Sequence, residues 1–184
     1  MNTIKTARQR SKPKPKPQEI DFKQTVANSI KSLTLQEGAH RLTINTTIEG
    51  LMPFVADKEM VDVIFTNIIS NAIKFRHPHE AKPVLDIHAD LGPENVKITF
   101  KDNGIGIDPE HIGKVFDMFF CAPGQKTEGS GLGLFAVKEA VKRMKGTITA
   151  NSVKGTGTTL VAELPNRIDP DLKRKLIKLI ENSK

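Results

Sequence analysis

Residues 57–75, DKEMVDVIFTNIISNAIKF, constrain the chain more than any other stretch. Met60, Ile64, Ile68, Ala72 and Phe75 recur at helical spacing and predict a helix with one apolar stripe, with Asp57 as its N-cap. Beside that stripe Asn67, Asn71 and Lys74 fall on a single line, so amides stand where an ordinary amphipathic helix carries charge. Two amide oxygens and an ammonium in a row suit a hydrated divalent cation and the oxygens of a polyphosphate. Two asparagines on a wet helix face are the alternative, and the helix alone does not choose between them.

The flanking chain predicts an α+β body. Ile20, Phe22, Val26, Ile30 and Leu33 imply a helix over 19–35, and RLTINTTI at 41–48 alternates as a half-buried strand does. After His77-Pro78 has ended the long helix, Val84–Leu91 and Asn95–Asp102 form a hairpin, with Val96, Ile98 and Phe100 facing the core. Asp108-Pro109 opens a short helix reaching Phe116. The polar segment 121–130 is a loop, residues 131–144 form a second strong helix, and 147–151 and 158–164 form a last hairpin. Asp169-Pro170 caps a basic helix whose apolar side, Leu172, Leu176, Leu179 and Ile180, is expected to pack against the body.

Hydrophobic content of 38% with 5% aromatic residues and no Trp or Tyr implies an aliphatic core. No apolar run approaches the roughly 18 residues of a membrane span, so membrane contact is not expected and a cytoplasmic location is. Cys121 is the single cysteine and excludes an internal disulfide. The net charge of +7 lies in the tails: residues 1–17 hold six basic residues and no acid, and 166–184 hold six basic against three acidic. The body between is slightly acidic, which argues against a nucleic-acid groove. The alternating Lys-Pro of 12–17 makes residues 1–18 a linker, leaving 19–165 as one domain and 166–184 as the basic helix.

Three glycine-bearing loops supply what the asparagine stripe lacks: Gly104/Gly106, Gly129/Gly131/Gly133 and Gly155/Gly157. None matches the phosphate loop GxxxxGK[ST] or the dinucleotide spacing GxGxxG. Gly131 and Gly133 open a helix, where free N–H groups and the positive dipole end attract phosphates. Asp102 ends a strand beside glycines that permit close approach, so its carboxylate can accept from an exocyclic amine and select adenine over guanine.

Asn-x-x-x-Asn-Ala-x-Lys-Phe at 67–75, Asp-Asn-Gly-x-Gly at 102–106, Val-Phe-Asp-Met-Phe-Phe at 115–120, Gly-Ser-Gly-Leu-Gly-Leu at 129–134 and Gly-Thr-Gly-Thr-Thr at 155–159 resemble, in order, the N, G1, F, G2 and G3 boxes of the sensor histidine kinase catalytic domain. That domain belongs to the wider ATPase class of gyrase and Hsp90. The resemblance covers about 19–165 and implies a two-layer α/β sandwich, a mixed, mostly antiparallel sheet with helices on one face, holding ATP under a lid at about 117–130. It implies that Asn71 coordinates Mg2+, with Asn67 nearby and Lys74 near the phosphates. Phe75 would pack on the adenine, Asp102 would bind its amino group and Thr158 would support the base. Gly104 and Gly106 would shape the base pocket. The backbone of Gly129, Ser130, Gly131, Leu132 and Gly133 would close around the phosphates, and Phe116 and Phe119 would hold the lid.

Two departures follow. Cys121 stands where the family commonly has a phosphate-holding arginine, a role that falls to Lys126 here if it is filled at all. The phosphoacceptor motif is also missing: His40, His77, His88 and His111 have no such context, and His79-Glu80-Ala81-Lys82-Pro83 resembles it only superficially. No histidine pair has helical metal-ligand spacing, and zinc is not expected. The resemblance thus implies a catalytic domain, monomeric by itself, that phosphorylates a histidine on a separate dimerisation domain upstream of a response regulator. An anti-sigma-type serine kinase and a non-catalytic ATP-gated binding module are the rival readings.

Overall fold

A computed structural model describes residues 17–77, 82–121 and 130–182 of the 184-residue chain. Asp21 caps the first helix, α1 (Phe22–Ser32), by accepting from the Gln24 N–H at 3.0 Å. The helix therefore starts after Ile20 and is shorter than its apolar periodicity suggests. Residues before it form a two-residue strand, β1 (Gln18–Glu19), antiparallel to β3 (Val55–Ala56); pairs this short carry no readable periodicity. Between them runs β2 (Thr43–Glu49).

The long helix α2 (Lys58–Lys74) is capped by Asp57, whose carboxylate accepts from the N–H groups of Glu59 and Met60. Its buried surface is wider than one stripe: Val61, Ile64, Phe65, Ile68, Ile69, Ala72 and Ile73 are buried, while Met60 is only partly so. α2 lies between α1 and α3 (Gly133–Arg143) and over the sheet, so it needs apolar groups on more than one side. The few aromatic residues concentrate here. Phe65 meets Phe100 edge-on at 5.1 Å between ring centroids and Phe22 at 6.0 Å, and Phe22 stacks on Phe54 at 5.9 Å. The centre of the core is aromatic, with aliphatic residues around it. Each such fully buried side chain contributes on the order of 1.5–3 kcal/mol.

β4 (Val84–Leu91), β5 (Asn95–Asp102), β6 (Thr147–Val153) and β7 (Gly157–Pro165) complete a five-stranded sheet with β2, in the order β2-β4-β5-β7-β6. β2 runs parallel to β4 because α2 carries the chain across, and every other pair in the sheet is antiparallel. Leu85, Ile87, Ala89, Val96, Ile98, Phe100, Leu160, Ala162 and Leu164 project into the core under the helices. The alternate positions, among them Asp86, Asp90, Lys97, Lys101 and Glu163, are exposed on the opposite face. This is the two-layer α+β sandwich, with a mixed and mostly antiparallel sheet.

The body continues past Pro165. The Asn166 amide donates to the carbonyls of Pro53 and Gly92 and accepts from the Val55 N–H, and Ile168 is buried. The last helix, α4 (Pro170–Glu181), is capped by Asp169 but contains no buried residue. Leu172 and Leu179 are 46% and 62% exposed while Leu176 and Ile180 are half-buried, so the expected packing of its apolar side against the body is only partial. A Lys173–Glu94 ion pair ties it to the β4–β5 turn. No helix among the described residues is long and apolar enough to cross a membrane.

Candidate functional site

A cavity of about 330 Å³ opens where the C-terminal half of α2 faces the N-terminus of α3 over the ends of β5 and β7. That is the volume of a small-molecule site. Asn67, Asn71, Lys74 and Phe75 from α2 and its C-cap line one wall. Ser130, Gly131, Leu132 and Gly133 line the opposite wall, and Asp102, Gly106 and Thr158 line the end against the sheet.

The asparagine wall is oriented by the helix itself. Asn67 Nδ2 donates to the Val63 carbonyl one turn earlier at 2.8 Å, which leaves its Oδ1 turned outward. A Cβ on Gly133 would stand 3.4 Å from Asn67 Oδ1 and 3.5 Å from Asn71 Oδ1, so two amide oxygens face the first residue of α3. That end of α3 is open. Its N-cap is Leu132, which offers no side-chain acceptor, so the first-turn N–H groups keep their donors and the positive end of the helix dipole faces the cavity. The helix begins at Gly133, the last of these glycines, and not at Gly131. Gly131 has φ +66° and lies against the Phe119 backbone, whose N–H donates to the Gly131 carbonyl at 3.1 Å.

Asp102, the last residue of β5, is held by two backbone donors, Gly104 N–H at 2.8 Å and Thr158 N–H at 3.2 Å, both on Oδ1. Burial pushes its carboxyl above the usual aspartate range, and those two N–H groups pull the other way. The loop after it is stitched to the helix layer and to the last hairpin. Ile105 N–H donates to the Phe75 carbonyl at 2.9 Å, Gly155 N–H to the Ile105 carbonyl at 2.7 Å, and Ile107 N–H to the Ser152 hydroxyl at 2.8 Å. Outside the cavity, Lys154 pairs with Asp108 at 2.9 Å; the pair lowers the Asp108 pKa and raises that of Lys154.

Three of the residues assigned from sequence sit elsewhere. Gly104 is buried behind the cavity, where a Cβ would meet the Phe75 carbonyl oxygen at 2.4 Å, so it admits the backbone contact and does not touch the space itself. Phe116 packs on the core and Phe119 is 67% exposed; of the three phenylalanines in 115–120, the one lining the cavity is Phe120, with Cys121 beside it. The left-handed φ of +63° at Phe119 turns the chain and reverses which of the paired aromatics points inward. Lys126, Gly129 and His79 lie outside the described residues. Sequence reasoning missed the apolar walls Ile68, Ile107, Val115 and Leu160, which are indistinguishable by type from core residues. Away from the cavity, Glu49, His88 and Asp90 gather on the open sheet face, where β2 and β4 pair.

The chain is 34% identical over 155 residues to the sensor protein RprX of Bacteroides fragilis, an alignment covering 82% of this chain and 30% of RprX. It therefore spans under a third of that relative's length. Its fold is similar to that of the mycobacterial sensor histidine kinase MprB, with a TM-score of 0.66 at 22% identity over 83% of this chain and 99% of that one. It is also similar to full-length ShkA, solved in complex with AMPPNP, with a TM-score of 0.65 at 21% identity over 81% of this chain and 31% of that one. The sequence profile of the histidine kinase-, DNA gyrase B- and HSP90-like ATPases matches residues 56–168, which takes in both walls of the cavity and the strands beneath it. The chain belongs to this ATPase family.

Proposed function

We propose that this chain is the ATP-binding catalytic domain of a two-component sensor histidine kinase, acting in the cytoplasm on a histidine carried by a separate dimerisation domain. The observation that carries the proposal is the facing of Asn67 and Asn71 amide oxygens against the uncapped N-terminus of α3, with Asp102 at the other end of the same cavity. One end is built for anions and a hard cation, the other for a hydrogen-bond donor. AMPPNP, the nucleotide in the ShkA complex, has this division of chemistry.

In this reading Asp102 accepts from the adenine amine, while Phe75, Ile107 and Leu160 enclose the base. The first-turn N–H groups of α3 and the Lys74 ammonium take the phosphates. The donor set fits Mg2+, because Asn71 offers one hard amide oxygen and phosphate oxygens supply others. Asn71 would hold the ion, which when bound would supply charge neutralisation for the transferring phosphoryl group. The backbone from Gly129 to Gly133 would close around the triphosphate, with Lys126 filling the role of the missing phosphate-holding arginine. Transfer breaks the bond from the γ-phosphorus to the ADP oxygen as a bond to the acceptor imidazole nitrogen forms. A response regulator receives the phosphoryl group afterwards.

Mixing the chain with labelled ATP, Mg2+ and a dimerisation domain bearing the acceptor histidine is expected to give acid-labile, base-stable phosphate on that domain. Asn71→Ala should abolish the Mg2+-dependent part of both binding and transfer. Acid-stable phosphate would indicate a serine kinase instead. ATP binding without transfer to any dimerisation domain would reduce the chain to a nucleotide-gated binding module.

A further inference from the structure

The base end of the cavity contains a hydroxyl that does not touch the cavity. Ser152 lies on β6 directly across from Thr158 on β7, one layer behind the residues that line the space. Its Oγ has three neighbours: the Gly157 carbonyl at 2.7 Å, the Ile107 N–H at 2.8 Å and the Thr158 Oγ1 at 3.0 Å. A serine hydroxyl has one proton to donate and two lone pairs to accept with. A carbonyl can only accept, so the Ser152 proton goes to Gly157. The Ile107 amide can only donate, so it uses one lone pair. The remaining contact is then satisfied in one way: Thr158 donates its hydroxyl proton to Ser152.

This ordering fixes the polarity of Thr158. With its only side-chain proton directed back at Ser152, the Thr158 hydroxyl has lone pairs alone left to offer the cavity that this residue lines. Asp102 is committed in the same sense, since Oδ1 takes the Gly104 and Thr158 N–H groups and Oδ2 has no bond among the described residues. The side chains at the base end therefore offer acceptors without a donor. Such a pair matches a ring carrying an exocyclic amine and opposes one carrying a carbonyl at the same place.

We propose that Ser152 is a positioning residue for nucleotide selection: by taking the Thr158 proton it holds Thr158 as an acceptor beside Asp102, and so sharpens the preference for an amino-purine over an oxo-purine. The proposal rests on the reading of the cavity as an ATP site. The same hydroxyl also holds the Ile107 wall in place, so one side chain orders both the polar and the apolar border of the base.

The test is binding of ATP and GTP, by titration calorimetry with Mg2+, to the wild-type chain, Ser152→Ala, Thr158→Val and the double variant. In Ser152→Ala the Thr158 hydroxyl is free to rotate and donate into the cavity, so the ATP-over-GTP ratio should fall roughly two- to tenfold, the worth of one hydrogen bond. Thr158→Val should lower the ratio similarly, and the double variant should fall no further than Thr158→Val alone, because Ser152 acts through Thr158. Ser152→Thr, which keeps the hydroxyl, should restore the ratio. Should Ser152→Ala fail to fold, Ser152→Cys, close in size but a weak donor and acceptor, carries the same expectation. An unchanged ratio in the folded variant, or additive losses in the double variant, would overturn the proposal while leaving the ATP site intact. Failure of the wild-type chain to bind ATP would instead overturn the proposed function.

Discussion

Gly157→Ala should damage the base end of the cavity and the sheet together, and its size can be worked from the backbone. Gly157 opens β7 with φ +138°, a conformation that L side chains rarely adopt, and a Cβ there would lie 2.0 Å from the Asp102 carbonyl oxygen and 2.9 Å from its carbon. No side-chain rotamer relieves a clash between a Cβ and a backbone carbonyl. The strained dihedral costs about 1–3 kcal/mol. To reach even the 3.0 Å that real Cβ contacts respect, the β5 and β7 ends must part, which weakens the 3.2 Å bond from Thr158 N–H to Asp102 Oδ1 by about 1–2 kcal/mol. The total is about 2–5 kcal/mol. For a chain of this length that lowers the unfolding midpoint by roughly 5–20 °C.

The same displacement has a functional signature. Positioning groups must hold within about 0.5 Å to bind productively, and here the movement falls on Asp102, the residue proposed to accept from the base. ATP affinity should drop at temperatures where the variant is still folded, while phosphate-end contacts survive, so inorganic triphosphate should bind as before. Circular dichroism melting and nucleotide titration read the two effects separately. A variant with the wild-type melting temperature and ATP affinity would refute the reasoning, since it would mean that the strand ends are not in the close contact described.

Asp57→Ala removes a buried N-cap that accepts from two α2 N–H groups, so the urea midpoint should fall by the equivalent of about 1 kcal/mol without a change in slope. Asp102 gives a pH dependence of defined sign. Its folded pKa is raised by burial, so the folded state holds the proton more tightly, and stability relative to Asp102→Asn should be highest below the ordinary 3.8 and be lost as pH rises through the raised value. Binding of adenosine should strengthen over the same window, as the charged acceptor forms; urea titrations and binding curves across acid pH check both. Lys154→Ala, by contrast, should leave the melting temperature unchanged at high salt, because its pair with Asp108 is exposed and screened.

Long local patterns were readable and short or contingent ones were not. The β4–β5 hairpin falls on the residues its alternation marks, and Val96, Ile98 and Phe100 are buried as that alternation requires. The caps at Asp57, Asp108 and Asp169 are also where an acidic residue before a helix places them. β1 and β3 escaped because two residues have no period. The breadth of the α2 core face escaped for a different reason: Val61, Phe65, Ile69 and Ile73 are buried by what packs beside the helix, which is tertiary information. At the site, motif spacing located Asn71, Asp102 and Thr158. It could not show that Phe120 replaces Phe119 at the wall, because that depends on one left-handed φ. The partial exposure of the apolar side of α4 has the same origin, since amphipathic spacing says which side is apolar and not how far the body covers it.

The helix ends differ in how they are capped. α1, α2 and α4 each start at an aspartate whose carboxylate accepts from the first-turn N–H groups. α3 starts at Leu132, with αR backbone and no side-chain bond. An aspartate cap contributes about 0.5–2 kcal/mol, so this helix forgoes a stabilisation that the other three take. Among the described residues, the omission falls at the one α-helix N-terminus that faces the cavity, opposite the Asn67 and Asn71 oxygens. A carboxylate at Leu132 would occupy the donors that an anion needs and repel that anion as well. A leucine keeps the donors available and adds apolar wall. The local rule is therefore broken where obeying it would cost the cavity the donors proposed to take phosphate, and the body compensates through the packing of α3 on α2, with Val137, Ala140 and Val141 buried.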